Sequence, residues 1–187
     1  RNLKVVVIDD GSTDHTAEVL AQRFPDVAVL RGNGDLWWTG ATALGVAYVL
    51  DRCDSGDFVL TLNNDTTVGP EYVQTLVQVA LDEGRRAVVG SVAVDSRDGD
   101  TIADGGPYVN WLTAKSGSRN VGQSLREVVD AGVTTTRPDF LPGRGTLIPV
   151  KCIRAVGNFD ATRLPQYAAD YEFSTRAARA GCHLVMS

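Results

Sequence analysis

Histidine, cysteine and basic charge are all scarce in this 187-residue chain, and each scarcity closes off a class of function. His15 and His183 are the only histidines and lie far apart, so a histidine-based metal site is not expected. Any metal would have to be held by carboxylates and phosphates. Cys53, Cys152 and Cys182 are odd in number and scattered, with no C-x-x-C pair. That pattern offers neither a disulfide framework nor a structural zinc site and makes a reducing compartment the default. No apolar run approaches the roughly 20 residues that span a bilayer. The opening RNLKVVVIDD has no apolar core and cleavage site of the kind a secretory signal carries. A net charge of -5 argues against a broad nucleic-acid surface, while leaving room for one anionic ligand at a local site.

What is present describes a soluble globular chain. Hydrophobic residues make up 43% and charged residues 22%, and the length suits one domain with a substantial core. Leu3–Ile8 is a continuous β-branched run that predicts a buried strand. Asp9–Asp14 carries turn and N-cap chemistry, and a helical period follows in HTAEVLAQRF. Val27–Leu30 predicts a second strand, Ala41–Leu50 a close-packing helix of small residues, and Phe58–Leu62 a third strand. Pro70 suits an early helical position, and EYVQTLVQVALDEG runs on to a glycine stop. Ala87–Val94 predicts another strand. Such alternation means an α/β fold with a largely parallel sheet.

Regularity fails across residues 95–136, rich in Gly, Asp, Ser and Thr, which predict a long surface excursion with short strands at most. PDFLPGRGTLIPV then predicts a strand-like pair around Gly143 and Gly145. Asp170–Ala180 predicts a helix closed by Gly181, and HLVM a further strand. No internal repeat or second domain is visible. The chain begins on a buried-type strand without an initiator Met and stops as another strand begins, which predicts a fragment or trimmed chain.

Three acidic clusters fall where strands end: Asp9-Asp10, Asp65, and Asp170 near a helix start. Open α/β sheets bind ligands outside the carboxyl ends of their strands. Acids gathered there repel one another unless a cation or hydrogen-bond donors intervene, and a divalent cation holding a diphosphate is the simplest resolution.

These segments resemble family 2 glycosyltransferases of the rhamnosyltransferase-like kind. VVVIDDGSTDHT is similar to their VVDDGSTDGT segment, and LNNDTTV stands at the position of their D-x-D motif. GRGTLIPV followed by GNFD resembles their acceptor-side segment, and ADYEFSTRAARAG their E-D-x-D-L-x-x-R-x-x-x-x-G helix. The resemblance implies the GT-A fold, a Rossmann-like α/β architecture with a mostly parallel central sheet flanked by helices, here lacking its first strand and C-terminal elements. It implies one partial catalytic domain over 1–187, with a nucleotide-sugar half at 1–94 and an acceptor-side half at 95–187. The implied reaction is inverting, metal-dependent sugar transfer to an acceptor hydroxyl. Asp9 would accept from the base ring N–H, and Asp10 would lie on the ribose side. Ser12, Asp35 and Asn64 join them as donor-site candidates. Asp65 would bind Mg²⁺ or Mn²⁺ bridging the diphosphate, and Asp170 would be the general base. Implied partners are a UDP- or dTDP-linked sugar and a glycan or lipid-linked acceptor of the cell envelope. The implied location is the cytoplasm, or peripherally the inner face of the membrane.

Departures from the family pattern mark where this chain differs. Asn63-Asn64-Asp65 keeps only the last acid of its motif, and Ala169 replaces the Glu before the base. GDLWWTGATALG brings in Asp35, Trp37 and Trp38, as core packing or as a sugar platform. Taken singly, Asp9–Ser12 reads equally as a strand-to-helix turn, Asn63–Thr66 as an Asx-type turn, and Asp170 as a helix cap. Glu172 reads as the i,i+4 partner of Arg176, and Arg144 as a solvated loop arginine. Rival functions are weaker. A phosphoacceptor receiver domain needs a lysine at a strand end before proline, which Lys115 and Lys151 do not supply. Gly32-Asn33-Gly34 opens a G-x-G, but Trp37 takes the third glycine position of the dinucleotide fingerprint. An inactive nucleotide-binding fragment of a transferase is the remaining alternative.

Overall fold

The computed structural model of the chain describes residues 3–187. They fall into two compact units, the described residues up to Asp54 with Gly157–Ala169, and Ser55–Val156 with Asp170–Ser187.

The first unit is a strand–helix–strand–helix run of β1 (Val6–Asp9), α1 (Thr16–Arg23), β2 (Ala28–Arg31) and α2 (Trp37–Leu50). β1 and β2 pair in parallel from Val6 opposite Ala28 to Asp9 opposite Arg31. The predicted buried strand at Leu3–Ile8 is displaced towards Asp9, and its side chains are only half-buried. Leu3 and Val5 lie outside the pairing and stay exposed. α2 begins at Trp37, four residues before the predicted Ala41. Its small residues do what the composition predicts. A Cβ added at Gly45 would stand 2.7 Å from Ile8 Cδ1, so helix and strand meet without room for a side chain. Trp38 packs edge-on against Phe159 at 5.7 Å between ring centres. The Asn158 amide donates to the Ala43 carbonyl at 2.8 Å. The GNFD segment thus belongs to this first unit, and GRGTLIPV to the second.

The second unit is built on a four-stranded sheet ordered β10 (His183–Met186), β4 (Ala87–Gly90), β9 (Thr146–Pro149), β3 (Phe58–Thr61). β9 runs antiparallel to both of its neighbours, while β10 is parallel to β4, so three of the four strands share one direction. α3 (Tyr72–Asp82) covers this sheet through Leu76 and Ala80, which join Ala87, Val89, Leu147 and Val185 in the core. The predicted strand pair around Gly143 and Gly145 yields β9 alone. Residues 141–145 stay a loop because their N–H groups are taken elsewhere. Leu141 donates to Ser174 Oγ, Gly143 to Asp170, and Gly145 to the Thr61 carbonyl. α5 (Val150–Val156) follows β9 directly and was not legible in the sequence. It brings Cys152 to within 2.8 Å of Cys182 Sγ, so two of the scattered cysteines are neighbours, and burial pushes the Cys152 thiol well above the usual range. α6 (Ala169–Arg179) ends at Gly181, whose φ of 88° lets the Cys182 N–H turn back to the Ala177 carbonyl.

The predicted strand Ala87–Val94 divides. β4 stays in the sheet, and β5 (Ala93–Val94) leaves to pair with β6 (Ile102–Asp104). The excursion at 95–136 is more ordered than its composition predicts. β7 (Pro107–Asn110) and β8 (Lys115–Ser118) form an antiparallel hairpin. α4 (Leu125–Asp130) starts from Ser124, whose hydroxyl accepts the Glu127 N–H in the S-x-x-E capping pattern.

Candidate active site

In the first unit, the acidic pair sits at the carboxyl end of β1 and is held by backbone N–H groups. Asp9 is buried, and its Oδ1 accepts the Ser12 N–H at 2.9 Å. Hydrogen bonds from the Ser12 side chain, then its backbone, hold the Asp9 carboxyl below the usual carboxylate range. Asp10 reaches across to the loop after β2, where Oδ1 accepts from Gly34 and Oδ2 from Leu36, both at 2.8 Å. The two loops fit together only through glycine. A Cβ at Gly32 would fall 2.2 Å from Asp10 Oδ1, and one at Gly11, with φ 77°, 2.9 Å from Gly34 Cα.

Asp35 continues this loop and accepts from Trp37 Nε1 at 2.9 Å. Trp37 has φ 55°, a left-handed conformation that costs a bulky residue about 1–3 kcal/mol, and its side chain is exposed. The tryptophans therefore divide, Trp38 into packing and Trp37 onto a surface wall beside Asp35. Thr39, two residues after Trp37, is fully buried, and among the described residues its hydroxyl finds no hydrogen-bond partner. The first unit thus brings Asp9, Asp10, Ser12 and Asp35 onto two interlocked loops.

In the second unit, Asn64 and Asp65 are exposed on the turn after β3, closed by a 3.3 Å bond from the Thr66 N–H to the Asn63 carbonyl. Asp170, on the first turn of α6, uses Oδ2 to accept the Gly143 N–H at 2.7 Å and Oδ1 to accept the Tyr171 N–H at 2.9 Å. It is therefore a tether between the helix start and the 141–145 loop rather than a cap on the N–H two or three residues on. The same loop is fixed to the end of β3, since Thr61 Oγ1 donates to the Gly143 carbonyl at 2.7 Å. Ala169, where the family pattern has Glu, is buried.

Sequence reading missed three members of this neighbourhood. Arg144 is not a solvated loop arginine but pairs with Asp104, which also accepts from the Ser118 hydroxyl. Tyr171 stacks against Phe140 at 4.3 Å, and its hydroxyl is pushed up by burial first, then by the charges of Asp170 and Asp104. Asp104 lies in the excursion, where composition alone marks no acid as special. Glu172 does pair with Arg176 at 2.8 Å, and the guanidinium also reaches the Val156 carbonyl.

For a metal, the donor set is sparse. Among the described residues no group of three or more His, Cys, Asp or Glu side chains is placed to hold an ion. The single exposed carboxylate of Asp65 fits Mg²⁺ or Mn²⁺ as an ion that takes most of its ligands from phosphate and water.

Comparison with known proteins places this geometry in a family. Residues 1–137 match the sequence profile of glycosyl transferase family 2. The N-acetylglucosaminyl-diphospho-decaprenol L-rhamnosyltransferase of Mycobacterium tuberculosis (strain CDC 1551 / Oshkosh) is 26% identical over 97% of this chain and 62% of its own length. The undecaprenyl-phosphate 4-deoxy-4-formamido-L-arabinose transferase of Klebsiella pneumoniae (strain 342) is 29% identical over 76% of this chain and 45% of its own. The chain thus spans less than two thirds of these relatives. Among solved structures, GalNAc-T7 crystallised with UDP, GalNAc and Mn²⁺ superposes on 98% of the chain and 36% of its own, with TM-score 0.69 and 16% identity. S. aureus TarS 1-349 superposes on 98% of the chain and 48% of its own, with TM-score 0.59 and 16% identity. The fold shared with them is the GT-A α/β fold.

Proposed function

The chain belongs to glycosyl transferase family 2, and on that premise we propose that it serves metal-dependent, inverting transfer of a sugar from a nucleotide-diphosphate donor to an acceptor hydroxyl. Asp9 and Asp10, with Ser12 and Asp35 on the interlocked loops, receive the nucleoside. Asn64 and Asp65 face the diphosphate, where Mg²⁺ or Mn²⁺ would supply positive charge to the leaving group as the glycosidic bond breaks. Asp170 takes the proton of the acceptor hydroxyl as its oxygen attacks the anomeric carbon from the face opposite the diphosphate. In this reading residues 1–94 are the donor half and 95–187 the acceptor half.

The observation that carries the reading is the placement of Asp170. Its carboxylate is fixed by the Gly143 N–H at 2.7 Å and so is aimed by the chain before any substrate arrives. The donor expected is a UDP- or dTDP-linked sugar. A lipid-linked glycan is the acceptor class favoured by the decaprenol- and undecaprenyl-named relatives. No helix among the described residues is long and apolar enough to cross a membrane. A cytoplasmic chain lying peripherally at the inner face suits such an acceptor. A second reading, a nucleotide-binding segment whose turnover needs the rest of a longer protein, is favoured by the share of its relatives that the chain spans.

Calorimetric titration of UDP and dTDP into the folded chain, with and without Mn²⁺, tests both readings. Metal-dependent binding of one nucleotide supports the donor site and identifies the base. Failure of both to bind overturns it.

A further inference from the structure

We propose that the tip of the β7–β8 hairpin is a wedge that docks the chain on an anionic lipid surface. The four residues Trp111–Ala114 join the two strands, and at their head Trp111 is 84% and Leu112 97% exposed. No other large apolar side chain among the described residues is so open to water. Single exposed apolar residues are ordinary on a protein surface. An adjacent pair at the apex of an ordered hairpin is not.

The turn is locked rather than frayed. Asn110 Oδ1 accepts the N–H groups of Leu112 at 3.0 Å and Thr113 at 3.2 Å, and the paired strands below continue the ladder to Pro107 and Ser118. The indole and the isobutyl group are therefore held outward in advance, so docking orders little that is not already ordered. Tryptophan favours the membrane–water interface, where its ring lies among headgroups.

Charge points the same way. The chain has a net charge of -5, yet Gly105 to Arg126 contains no acidic residue, and Lys115 and Arg119 on the hairpin are both exposed. The Arg119 guanidinium lies 5.6 Å from the Tyr108 ring centre and donates to the Arg137 carbonyl, so its charge is held on the hairpin stalk. The two acids that touch the hairpin are set back from the apex and hydrogen-bonded to it. Asp139 accepts the Val109 N–H, and Asp104 the Ser118 hydroxyl at the far end of β8. A cationic stalk below an apolar tip complements anionic headgroups over acyl chains. A protein partner fits less well, because a stable interface needs about 800 Å² on each side, and a two-residue apex offers a small part of that.

The assignment rests on the peripheral placement proposed above for its setting. Its test, however, needs no donor, acceptor or turnover, so its failure would leave the transferase reading standing. The whole chain is floated with vesicles of phosphatidylcholine alone or mixed with phosphatidylglycerol. Binding is expected on the mixed vesicles, weakened roughly tenfold in the Trp111→Ser, Leu112→Ser double variant and severalfold in Lys115→Glu. Brominated lipid should quench fluorescence of the bound native chain, and Trp111→Phe should lower that quenching by removing the indole at the hairpin tip. An unchanged melting temperature in the variants shows that they fold. The proposal is overturned by native chain that ignores mixed vesicles, by a double variant that binds as the native does, or by bound chain that is not quenched. Tip-dependent dimerisation on size exclusion would name a second copy as the occupant and overturn it equally.

Discussion

Replacing Asp170 by Asn separates two roles that the geometry gives to one side chain. The carboxylate accepts the Gly143 N–H at 2.7 Å through Oδ2, and in the proposed reaction it takes the acceptor proton. An asparagine carbonyl can still accept from Gly143, so the 141–145 loop should stay tethered, but the amide takes up no proton and offers the Tyr171 N–H no acceptor. A lost general base typically costs about 10²–10⁴ in rate. At about 1.4 kcal/mol per decade, that is roughly 3–5 kcal/mol of barrier. Alanine removes base and tether together. A hydrogen bond to a charged group contributes about 1.5–3 kcal/mol, and the lower end applies at this partly exposed helix start. The assay is transfer of label from donor to acceptor by the chain, beside calorimetric nucleotide binding and thermal melting. Asn should lose transfer, keep nucleotide affinity and melt close to the native temperature, whereas Ala should lower the melting temperature further. An Asn variant that retains more than about a tenth of native turnover refutes the base assignment, since general-base effects are larger than that. An Asn variant that loses nucleotide binding moves Asp170 to the donor site and refutes it in another way.

Four further outcomes are expected. Asp65→Ala should abolish the Mn²⁺ dependence of nucleotide binding while leaving metal-independent affinity in place; equal affinities with and without Mn²⁺ in the native chain would remove the metal role. Asp10→Ala should lower stability by about 1–3 kcal/mol through loss of the Gly34 and Leu36 acceptor, read as a shifted urea midpoint, and an unchanged midpoint would mean that the loop holds without it. Thr39→Val should raise stability by about 1 kcal/mol, because the buried hydroxyl it removes has no partner; a lower melting temperature would refute that. Asp98 is held to about 2 by the Thr101 hydroxyl and then by the Asp100 and Thr101 N–H groups. Its folded value lies below its unfolded one, so the turn's contribution is complete above about pH 4 and fades as pH falls towards 2. The Thr101 amide resonance should titrate near the lower value, and a midpoint near 4 would contradict the turn.

Elements with a strong local signature were legible in the sequence, and those set by distant contacts were not. The period of EYVQTLVQVALDEG and the glycine after AARA marked α3 and α6 to within two residues, because amphipathic spacing and a left-handed stop are local properties. α5 escaped because VKCIRAV follows β9 without a break, and an apolar run of that length is ambiguous between strand and helix. The loop at 141–145 was misread as strand because its donors go to Ser174, Asp170 and Thr61, from 33 to 84 positions away in the chain for two of them and nearer for the third. Among site residues, the acids at strand ends were visible as acids. Arg144 and Asp104 were not visible as a pair, because they stand 40 positions apart in the chain. Trp37 and Trp38 are adjacent and chemically alike, yet Trp37 is exposed on a left-handed backbone and Trp38 packs against Phe159.

The acidic pair shows how the same residues support two different physical readings. From sequence, neighbouring carboxylates after a buried strand called for a cation to relieve their repulsion. In the fold, the relief comes from N–H groups, with Ser12 on Asp9 and Gly34 and Leu36 on Asp10. A carboxylate satisfied by backbone donors is stable as an anion without a metal. Asp10 therefore orders the loop that carries Asp35 and Trp37 whether or not a nucleotide is present. In the proposed reaction the demand for a divalent cation would come from the diphosphate, with Asp65 as its one protein carboxylate, so affinity for metal should appear only together with affinity for nucleotide. The pair at the end of β1 then shapes the loops that are proposed to receive the nucleoside, and in the proposed reaction the cation arrives with the substrate.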